Sequence, residues 1–222
     1  MSENHSSSST PLSQAEAPTV FVVDDEEGVR SLLVRTCQRA GIHAEGFRTA
    51  EEFLAAFRPE QPGCLLLDVT LPGMSGLQLQ QALRERNARI PIIFLTGSAD
   101  VNIATAGMRA GAVDLLEKPF EGDVLFARLH EALDLDRQHR QEEAAWREIN
   151  SKVETLTARE RQVLEHLVAG HANKIVALLL NTSPRTVEVH RARIMRKMKV
   201  DSLAELVRQI LLWRKGNGPS GG

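Results

Sequence analysis

One carboxylate ends the most apolar run in the sequence, and a glycine-rich turn follows it. The run Cys64–Leu67 leads into Asp68, and Pro72, Gly73 and Gly76 come soon after. Such a run predicts a strand that is buried on both faces, as in parallel sheets. Asp68 would then lie at the carboxyl end of that strand, where open α/β sheets place their ligands. Taken alone, an aspartate before a Pro-Gly turn more often caps the turn, so the interpretation depends on what lies beside it.

Other polar residues end other apolar runs in the same way. Asp24 and Asp25 follow the first run, Thr96 ends the fourth, and Lys118 follows the fifth. Three clustered carboxylates repel one another, which favours a hard divalent cation such as Mg²⁺. The hydroxyl and the ammonium would bind a phosphoryl group beside it. A carboxylate in these surroundings can attack phosphorus and form an aspartyl phosphate, and Asp68 is the best-placed nucleophile.

Strands and helices alternate five times over residues 19–135. The predicted strands are residues 19–23, 43–47, 64–67, 90–95 and 115–116, and a helical pattern follows each of them. The fourth of these helices is predicted from about Asp100 to Arg109. The alternation predicts a doubly wound α/β fold, with five parallel strands, helices on both faces and right-handed crossovers. Parallel strands bring the polar residues described above to one edge of the sheet.

Composition limits the class of protein. The 222 residues suffice for two small domains, and the net charge of −2 gives no overall attraction to nucleic acid or membranes. Cys37 and Cys64, the only cysteines, lack the spacing of a metal site or a disulfide framework. The sequence has no transmembrane stretch, and residues 1–18 lack the apolar segment of a signal peptide. We therefore expect a disordered tail there, a cytoplasmic protein and no membrane partner.

A charged segment without glycine or proline predicts a linker helix over residues 136–155. A short stripe with 3-4-3 spacing is formed by Trp146, Ile149, Val153 and Leu156. It predicts packing on its own domain, and a dimeric coiled coil is the alternative. Residues 156–212 then contain four short helices, with a tight turn between the second and the third. This pattern predicts a helix-turn-helix. Residues 213–222 are predicted to be a flexible tail.

The third of these four helices is strongly basic. A Ser183–Pro184 cap opens it, and Glu188 is its one acidic residue. Its predicted inward face carries Val187, His190, Ile194 and Met198, and its outward face carries Arg185, Glu188, Val189, Ala192 and Arg196. A basic helix is often only a solvated surface, but in a helix-turn-helix it is better interpreted as a recognition helix for the DNA major groove.

Residues 19–135 resemble the receiver domain of a bacterial two-component response regulator, which has a flavodoxin-like (CheY-like) fold. The resemblance rests on Asp24-Asp25, on Asp68 with Leu71-Pro72-Gly73-Met74-Ser75-Gly76, on Leu95-Thr96 and on Lys118-Pro119-Phe120. It implies that a sensor histidine kinase phosphorylates Asp68, and that Thr96 and Lys118 bind the phosphoryl oxygens. It further implies a Mg²⁺ site made by Asp25, Asp68 and the Thr70 carbonyl, with Asp24 acting mainly through water. The Lys118–Pro119 bond is expected to be cis.

One position departs from that family. Receivers usually carry Tyr or Phe three residues before the lysine, and this ring moves inward on activation. This position is Leu115, and the chain contains no tyrosine. Either Leu115 repacks in a smaller version of the motion, or the surface signal depends more on Thr96 and the fourth predicted helix. A simple core role for Leu115 is equally consistent with the sequence.

Residues 156–212 are similar to a LuxR-type DNA-binding domain, so the chain resembles the FixJ/NarL group of transcriptional regulators. The matching residues include Leu156-Thr157, Arg159-Glu160, Val163-Leu164, Gly170, Asn173-Lys174, Arg185-Thr186-Val187-Glu188, His190 and Leu203-Ala204-Glu205-Leu206-Val207. By position, the residues expected to contact DNA phosphates are Lys174, Ser183, Thr186, Arg193 and Arg196. Those expected to face base edges are Arg185, Glu188, Val189 and Ala192.

The resemblance implies a transcriptional regulator and not an enzyme. Phosphorylation of Asp68 would promote homodimerisation and binding to promoter DNA, most simply as an activator that contacts RNA polymerase. A phosphorylation-independent DNA-binding protein, whose receiver only dimerises, is the main alternative; a flavodoxin-like redox protein fits less well because the first strand lacks a phosphate-binding loop. The second helix of the helix-turn-helix is unusually apolar, and we expect the receiver or linker to cover Leu178 and Leu179 in the inactive state. A domain that binds protein in place of DNA is a further alternative.

Overall fold

A computed structural model describes residues 17–97, 107–109 and 111–217 of the chain. The chain divides into two compact units, residues 1–139 and residues 140–222. Most of the tail expected over residues 1–18 lies outside the described residues. So does most of the helix expected over residues 100–109, although residues 107–109 are helical.

The first unit contains one five-stranded sheet. Its strands are β1 (Thr19–Val23), β2 (His43–Phe47), β3 (Gly63–Asp68), β4 (Ile92–Thr96) and β5 (Asp114–Glu117). All neighbouring strands pair in parallel, in the order β2-β1-β3-β4-β5. The predicted doubly wound α/β fold with five parallel strands is confirmed, and β3 lies at the centre of the sheet.

Apolar residues bury both faces of this sheet, because successive side chains on a strand point to opposite sides. Three helices connect successive strands of the sheet: α1 (Glu27–Arg39), α2 (Ala50–Ala56) and α3 (Gly76–Glu85). Leu65 and Leu67 of β3 pack in one core cluster with residues of α2 and α3, and Leu66 packs in the other with residues of α1. The sheet therefore lies between two layers of helices.

Strand β4 begins later than the sequence suggested. It starts at Ile92 and not at residue 90, because Pro91 has no N–H to donate to the sheet. The Pro91 carbonyl still accepts a hydrogen bond from the Leu65 N–H, at 2.9 Å. The strand ends at Thr96, so that side chain occupies the last position of the strand.

Helix α4 (Gly122–Glu154) runs without interruption for 33 residues, so the expected linker is helical. In the first unit, its buried Asp136 accepts a hydrogen bond from the Gly63 N–H, at 2.9 Å. In the second unit, Ile149 and Val153 belong to the hydrophobic core. The stripe thus packs within its own unit, as the simpler interpretation of its spacing predicted.

Four further helices complete the second unit: α5 (Ala158–Val168), α6 (Asn173–Leu179), α7 (Pro184–Met198) and α8 (Leu203–Asn217). Helix α8 extends to Asn217, where the sequence predicted a flexible tail from residue 213. Trp213 explains the difference, because its indole N–H donates to Asn150 Oδ1 at 2.9 Å, while the Trp146 indole donates to the Trp213 carbonyl at 3.2 Å. No helix within the described ranges is both long and apolar enough to span a membrane.

A buried ion pair stabilises the second unit. Glu160 is only 3% exposed, and it accepts hydrogen bonds from Lys197 Nζ at 2.7 Å and from the Thr157 N–H at 2.9 Å. The Thr157–Glu160 capping box that opens α5 is therefore present. Burial disfavours the charged carboxylate, but these hydrogen bonds outweigh it and lower the pKa of Glu160 to about 2.

Replacing Glu160 by Gln should lower the free energy of unfolding at pH 7 by about 2 kcal/mol, since Lys197 loses its charged partner. Because the folded pKa lies below the ordinary value of 4.5, the stabilisation is complete above about pH 4.5 and is lost as the pH falls towards 2. The difference in unfolding free energy between the unsubstituted chain and the Glu160→Gln variant should therefore shrink in acid. Urea unfolding followed by tryptophan fluorescence measures it, since the only tryptophans, Trp146 and Trp213, lie in this unit.

Glu165→Gln is the matched control, because the pair that Glu165 forms with Arg214 is largely exposed. We expect it to change the unfolding free energy by less than about 1 kcal/mol. Equal effects of the two substitutions would contradict the importance assigned to the buried pair.

Candidate functional site

Three aspartates meet at the carboxyl edge of the sheet. Asp68 is the last residue of β3, and Asp24 and Asp25 directly follow β1. Parallel pairing of β1 with β3 brings these positions side by side. Each aspartate offers a carboxylate oxygen that lies within 4.8 Å of the others. Asp24 is fully buried, Asp68 nearly so, and Asp25 is exposed to solvent.

Lys118 bridges two of these carboxylates. Its Nζ lies 2.8 Å from Asp24 Oδ2 and 2.6 Å from Asp68 Oδ2. Burial disfavours the ammonium, but the two carboxylates outweigh it and raise the pKa of Lys118. For Asp68, burial raises the pKa, and the bonds from Lys118 and the Thr70 N–H oppose this only in part. The cluster thus holds three carboxyl groups and one ammonium group, which leaves it with an excess of negative charge.

The loop after β3 holds Asp68 closely. Its Oδ1 accepts the Thr70 N–H at 2.7 Å, and a capping box between Ser75 and Gln78 opens α3. A Cβ atom on Gly76 would lie 2.4 Å from the Asp68 carbonyl oxygen. Glycine is therefore required there for the loop to pass beneath the aspartate.

Thr96 and Lys118 are joined through the backbone. The Lys118 N–H donates to the Thr96 carbonyl at 2.7 Å, and the Lys118–Pro119 bond is cis, as expected. The Thr96 hydroxyl is buried and donates to the Gly97 carbonyl at 3.0 Å. Leu115 is half-buried and packs against the core cluster beside α2 and α3, which agrees with the simple core role.

Two residues that the sequence interpretation missed hold the loops of this site. Arg30 of α1 donates to the Asp24 carbonyl at 2.7 Å and so fixes the turn that carries the first two aspartates. Glu51 of α2 accepts the Met74 N–H at 3.2 Å and so holds the loop after β3. Arg30 could have been identified from the sequence, because it lies one turn after an Asp-Asp-Glu run. No local sequence pattern identifies Glu51.

The donor set limits what this edge of the sheet can bind. Carboxylate oxygens and a backbone carbonyl are hard ligands, of the kind that Mg²⁺ prefers, and no sulfur or imidazole joins the described cluster. A cation here would offset the excess negative charge. An anionic group that reaches Asp68 would also meet the Lys118 ammonium and the start of the Thr96 loop, which together form an anion-binding arrangement.

The second unit presents a basic surface on α7. All nine residues predicted to contact DNA are exposed: Lys174, Ser183, Arg185, Thr186, Glu188, Val189, Ala192, Arg193 and Arg196. Val187, Ile194 and Met198 are buried on the opposite face, as predicted. Ser183 caps the helix by accepting the Thr186 N–H at 3.1 Å. The residues predicted to contact DNA are therefore accessible to a partner, and most of them are polar or basic.

The predicted core role of His190 holds only in part, because the ring is partly exposed, although its Nδ1 is buried and has no hydrogen-bond partner among the described residues. Apolar side chains on α6 are strongly exposed: Ile175 at 46%, Leu178 at 78% and Leu179 at 54%. That they are covered in an inactive state stays a prediction.

Comparison with known proteins agrees with both halves of this description. The sequence-family model of the response regulator receiver domain matches residues 20–130. The sequence-family model of the bacterial regulatory proteins of the luxR family matches residues 154–210. The chain is thus a two-component response regulator with a LuxR-type DNA-binding domain, and it belongs to this family of transcription regulators.

Individual relatives show which type of response regulator the chain resembles. The chain is 43% identical over 197 residues to the transcriptional regulatory protein FixJ of Azorhizobium caulinodans, covering 89% of this chain and 93% of the relative. It is 41% identical over 192 residues to the response regulator protein TodT of Pseudomonas putida, covering 86% and 85%. The solved structure of the response regulator StyR matches with a TM-score of 0.78 and 42% identity, covering 88% and 98%. Within its family, the chain is of the FixJ/NarL type.

Proposed function

We propose that Asp68 accepts a phosphoryl group from a sensor histidine kinase and that this modification switches DNA binding by the second unit. The observation that carries the proposal is the Lys118 ammonium, shared between Asp24 and Asp68 at 2.8 and 2.6 Å beside a third carboxylate. A structural ion pair would need one carboxylate. The additional acidic groups favour a site that binds a cation and an incoming anion.

The side chains have distinct roles in the transfer. Asp25, Asp68 and the Thr70 carbonyl would hold Mg²⁺, with Asp24 reaching it through water, and the ion when bound would offset charge on the phosphoryl oxygens. An Asp68 oxygen forms the new bond to phosphorus as the phosphorus–nitrogen bond of the donor histidine breaks. Lys118 then exchanges its bond to Asp68 for one to a phosphoryl oxygen. The Thr96 hydroxyl turns from the Gly97 carbonyl towards the same group.

The altered receiver would favour a homodimer that presents two copies of α7. A two-fold dimer places its recognition helices in successive major grooves, about 34–36 Å apart. Arg185 and Glu188 face base edges in this arrangement, while Arg193 and Arg196 contact phosphates. Bound at a promoter, the dimer would recruit RNA polymerase and activate transcription.

Selection from random DNA duplexes tests the proposal. The full chain is incubated with acetyl phosphate and Mg²⁺, without acetyl phosphate, or as Asp68→Ala with acetyl phosphate. We expect a two-fold symmetric motif to be enriched in the first sample alone, because only it contains phosphorylated Asp68.

Equal enrichment in all three samples would overturn the switch and leave a DNA-binding protein whose receiver only dimerises. Absence of enrichment in every sample would overturn DNA recognition by α7 as well. It would favour a protein partner for this unit, for which the exposed Leu178 of α6 provides the specific observation.

A further inference from the structure

A cleft of about 240 Å³ opens in the first unit at the edge of the sheet opposite the aspartates. Ile90, Pro91 and Ile92 line it where β4 begins, and Val113 lines it just before β5. The aspartates and Lys118 follow the carboxyl ends of the strands, whereas these residues lie at the amino ends. The cleft therefore shares no residue with the phosphorylation site.

Both apolar and cationic side chains line the cleft. Leu83 of α3 and Leu135 of α4 line the interior together with the residues of β4. Arg84 and Arg89 line it as well, both are exposed, and neither forms an ion pair with any residue in the described ranges. Arg84 passes over Gly111, where a Cβ atom would lie 3.1 Å from its guanidinium. Two guanidinium groups beside an apolar wall favour a ligand that has both an anionic and an apolar part.

A buried polar atom gives a second, independent indication. His139 of α4 lines the cleft, and its Nδ1 is buried without a hydrogen-bond partner among the described residues. Buried nitrogen atoms of folded proteins nearly always have a partner, so this one remains available to a molecule that enters the cleft. Gln80, the other polar residue of the wall, is already engaged, since its Nε2 donates to the Gly107 carbonyl at 3.1 Å.

We propose that this cleft binds a small organic carboxylate. The carboxylate pairs with Arg84 and Arg89, one of its oxygens accepts a hydrogen bond from His139 Nδ1, and the apolar body packs against Leu83 and Leu135. The volume is below that of sites for drug-sized ligands, roughly 300–1,000 Å³, so the ligand is a single ring or a short chain. Because two of its contacts lie on α4, the ligand acts on this helix separately from Asp68.

Titration of the isotope-labelled full chain with benzoate, followed by NMR, tests this site. We expect saturable shifts at Val113, Leu135 and His139, with a dissociation constant below about 1 mM. The double substitution Arg84→Met and Arg89→Met should weaken binding about tenfold or more, because the charged hydrogen bonds are lost. Benzamide, which is uncharged and of the same shape, should bind more weakly than benzoate by a similar factor.

Arg39→Met is the matched control, since Arg39 is an exposed arginine of α1 outside the cleft, and it should leave benzoate affinity unchanged. His139→Phe should also abolish the shifts while circular dichroism stays unchanged. No saturation up to about 10 mM benzoate would overturn the proposal. Equal benzoate affinity in the double variant and the unsubstituted chain would also overturn it. Shifts confined to α7 would overturn it as well, because they would show unspecific anion binding to the basic face of that helix.

Discussion

Replacing Asp68 by Asn is expected to abolish phosphorylation by acetyl phosphate and Mg²⁺. The substitution keeps the size of the side chain and its hydrogen bond from Thr70, but it removes the nucleophilic oxygen that faces Lys118. No other described carboxylate is positioned to replace it: Asp24 is fully buried beneath the lysine, and Asp25 is exposed without a contact to it. Mass spectrometry of the intact protein measures the effect as loss of the phosphate adduct.

Asp123→Asn is the control for this experiment, because Asp123 is an exposed aspartate in the first turn of α4 and lies outside the cluster. It should be phosphorylated like the unsubstituted chain. If the Asp68 variant formed as much phosphate adduct as the unsubstituted chain, a residue other than Asp68 would be the phosphoryl acceptor. In that event the Lys118 bridge would be a structural ion pair.

Replacing Arg185 by Ala should weaken binding to the selected DNA site by about 1–3 kcal/mol, roughly fivefold to 150-fold, and relax the sequence preference at one position. Arg185 is exposed in the first turn of α7, the end of a recognition helix that contacts base edges. Arg193→Ala should instead weaken binding to all sequences alike and reduce the salt dependence by about one charge, since a phosphate contact carries no sequence information. Fluorescence anisotropy at several salt concentrations distinguishes these outcomes.

Arg208→Ala removes the same charge from α8, where Arg208 is exposed and pairs with Glu205. It should leave affinity and sequence preference nearly unchanged. If it weakened binding as much as Arg185→Ala, the overall charge of the unit and not the face of α7 would determine affinity.

Features set by local pattern were predictable from the sequence. Continuous apolar runs give buried strands, so β1 and β3 were found within one residue of their ends, with Asp68 at the correct edge of the sheet. The Ser183–Pro184 start of α7 depends on a side chain that bonds a backbone group within the next turn. It too is visible without knowledge of tertiary structure.

What the sequence did not reveal depends on contacts between distant segments. Glu51 holds a loop 23 residues away, and Asp136 bonds to Gly63, 73 residues away in the chain. Neither pairing has a local signature, because an exposed glutamate and a helical aspartate are ordinary in any helix. The end of α8 was missed for the same reason. Its composition after residue 212 is typical of a frayed terminus, and the hydrogen bonds that join Trp213 to Asn150 and Trp146 show that it is ordered.

The continuity of α4 has a practical consequence for anyone who exchanges these modules between regulators. A DNA-binding fragment that starts at Leu156, where a motif search would cut, discards Ile149 and Val153 from its own hydrophobic core and removes both partners of Trp213. Such a fragment should be poorly folded whatever its recognition helix. Chimeric regulators should instead be joined near residue 139, so that the last turns of this helix are inherited with the DNA-binding half.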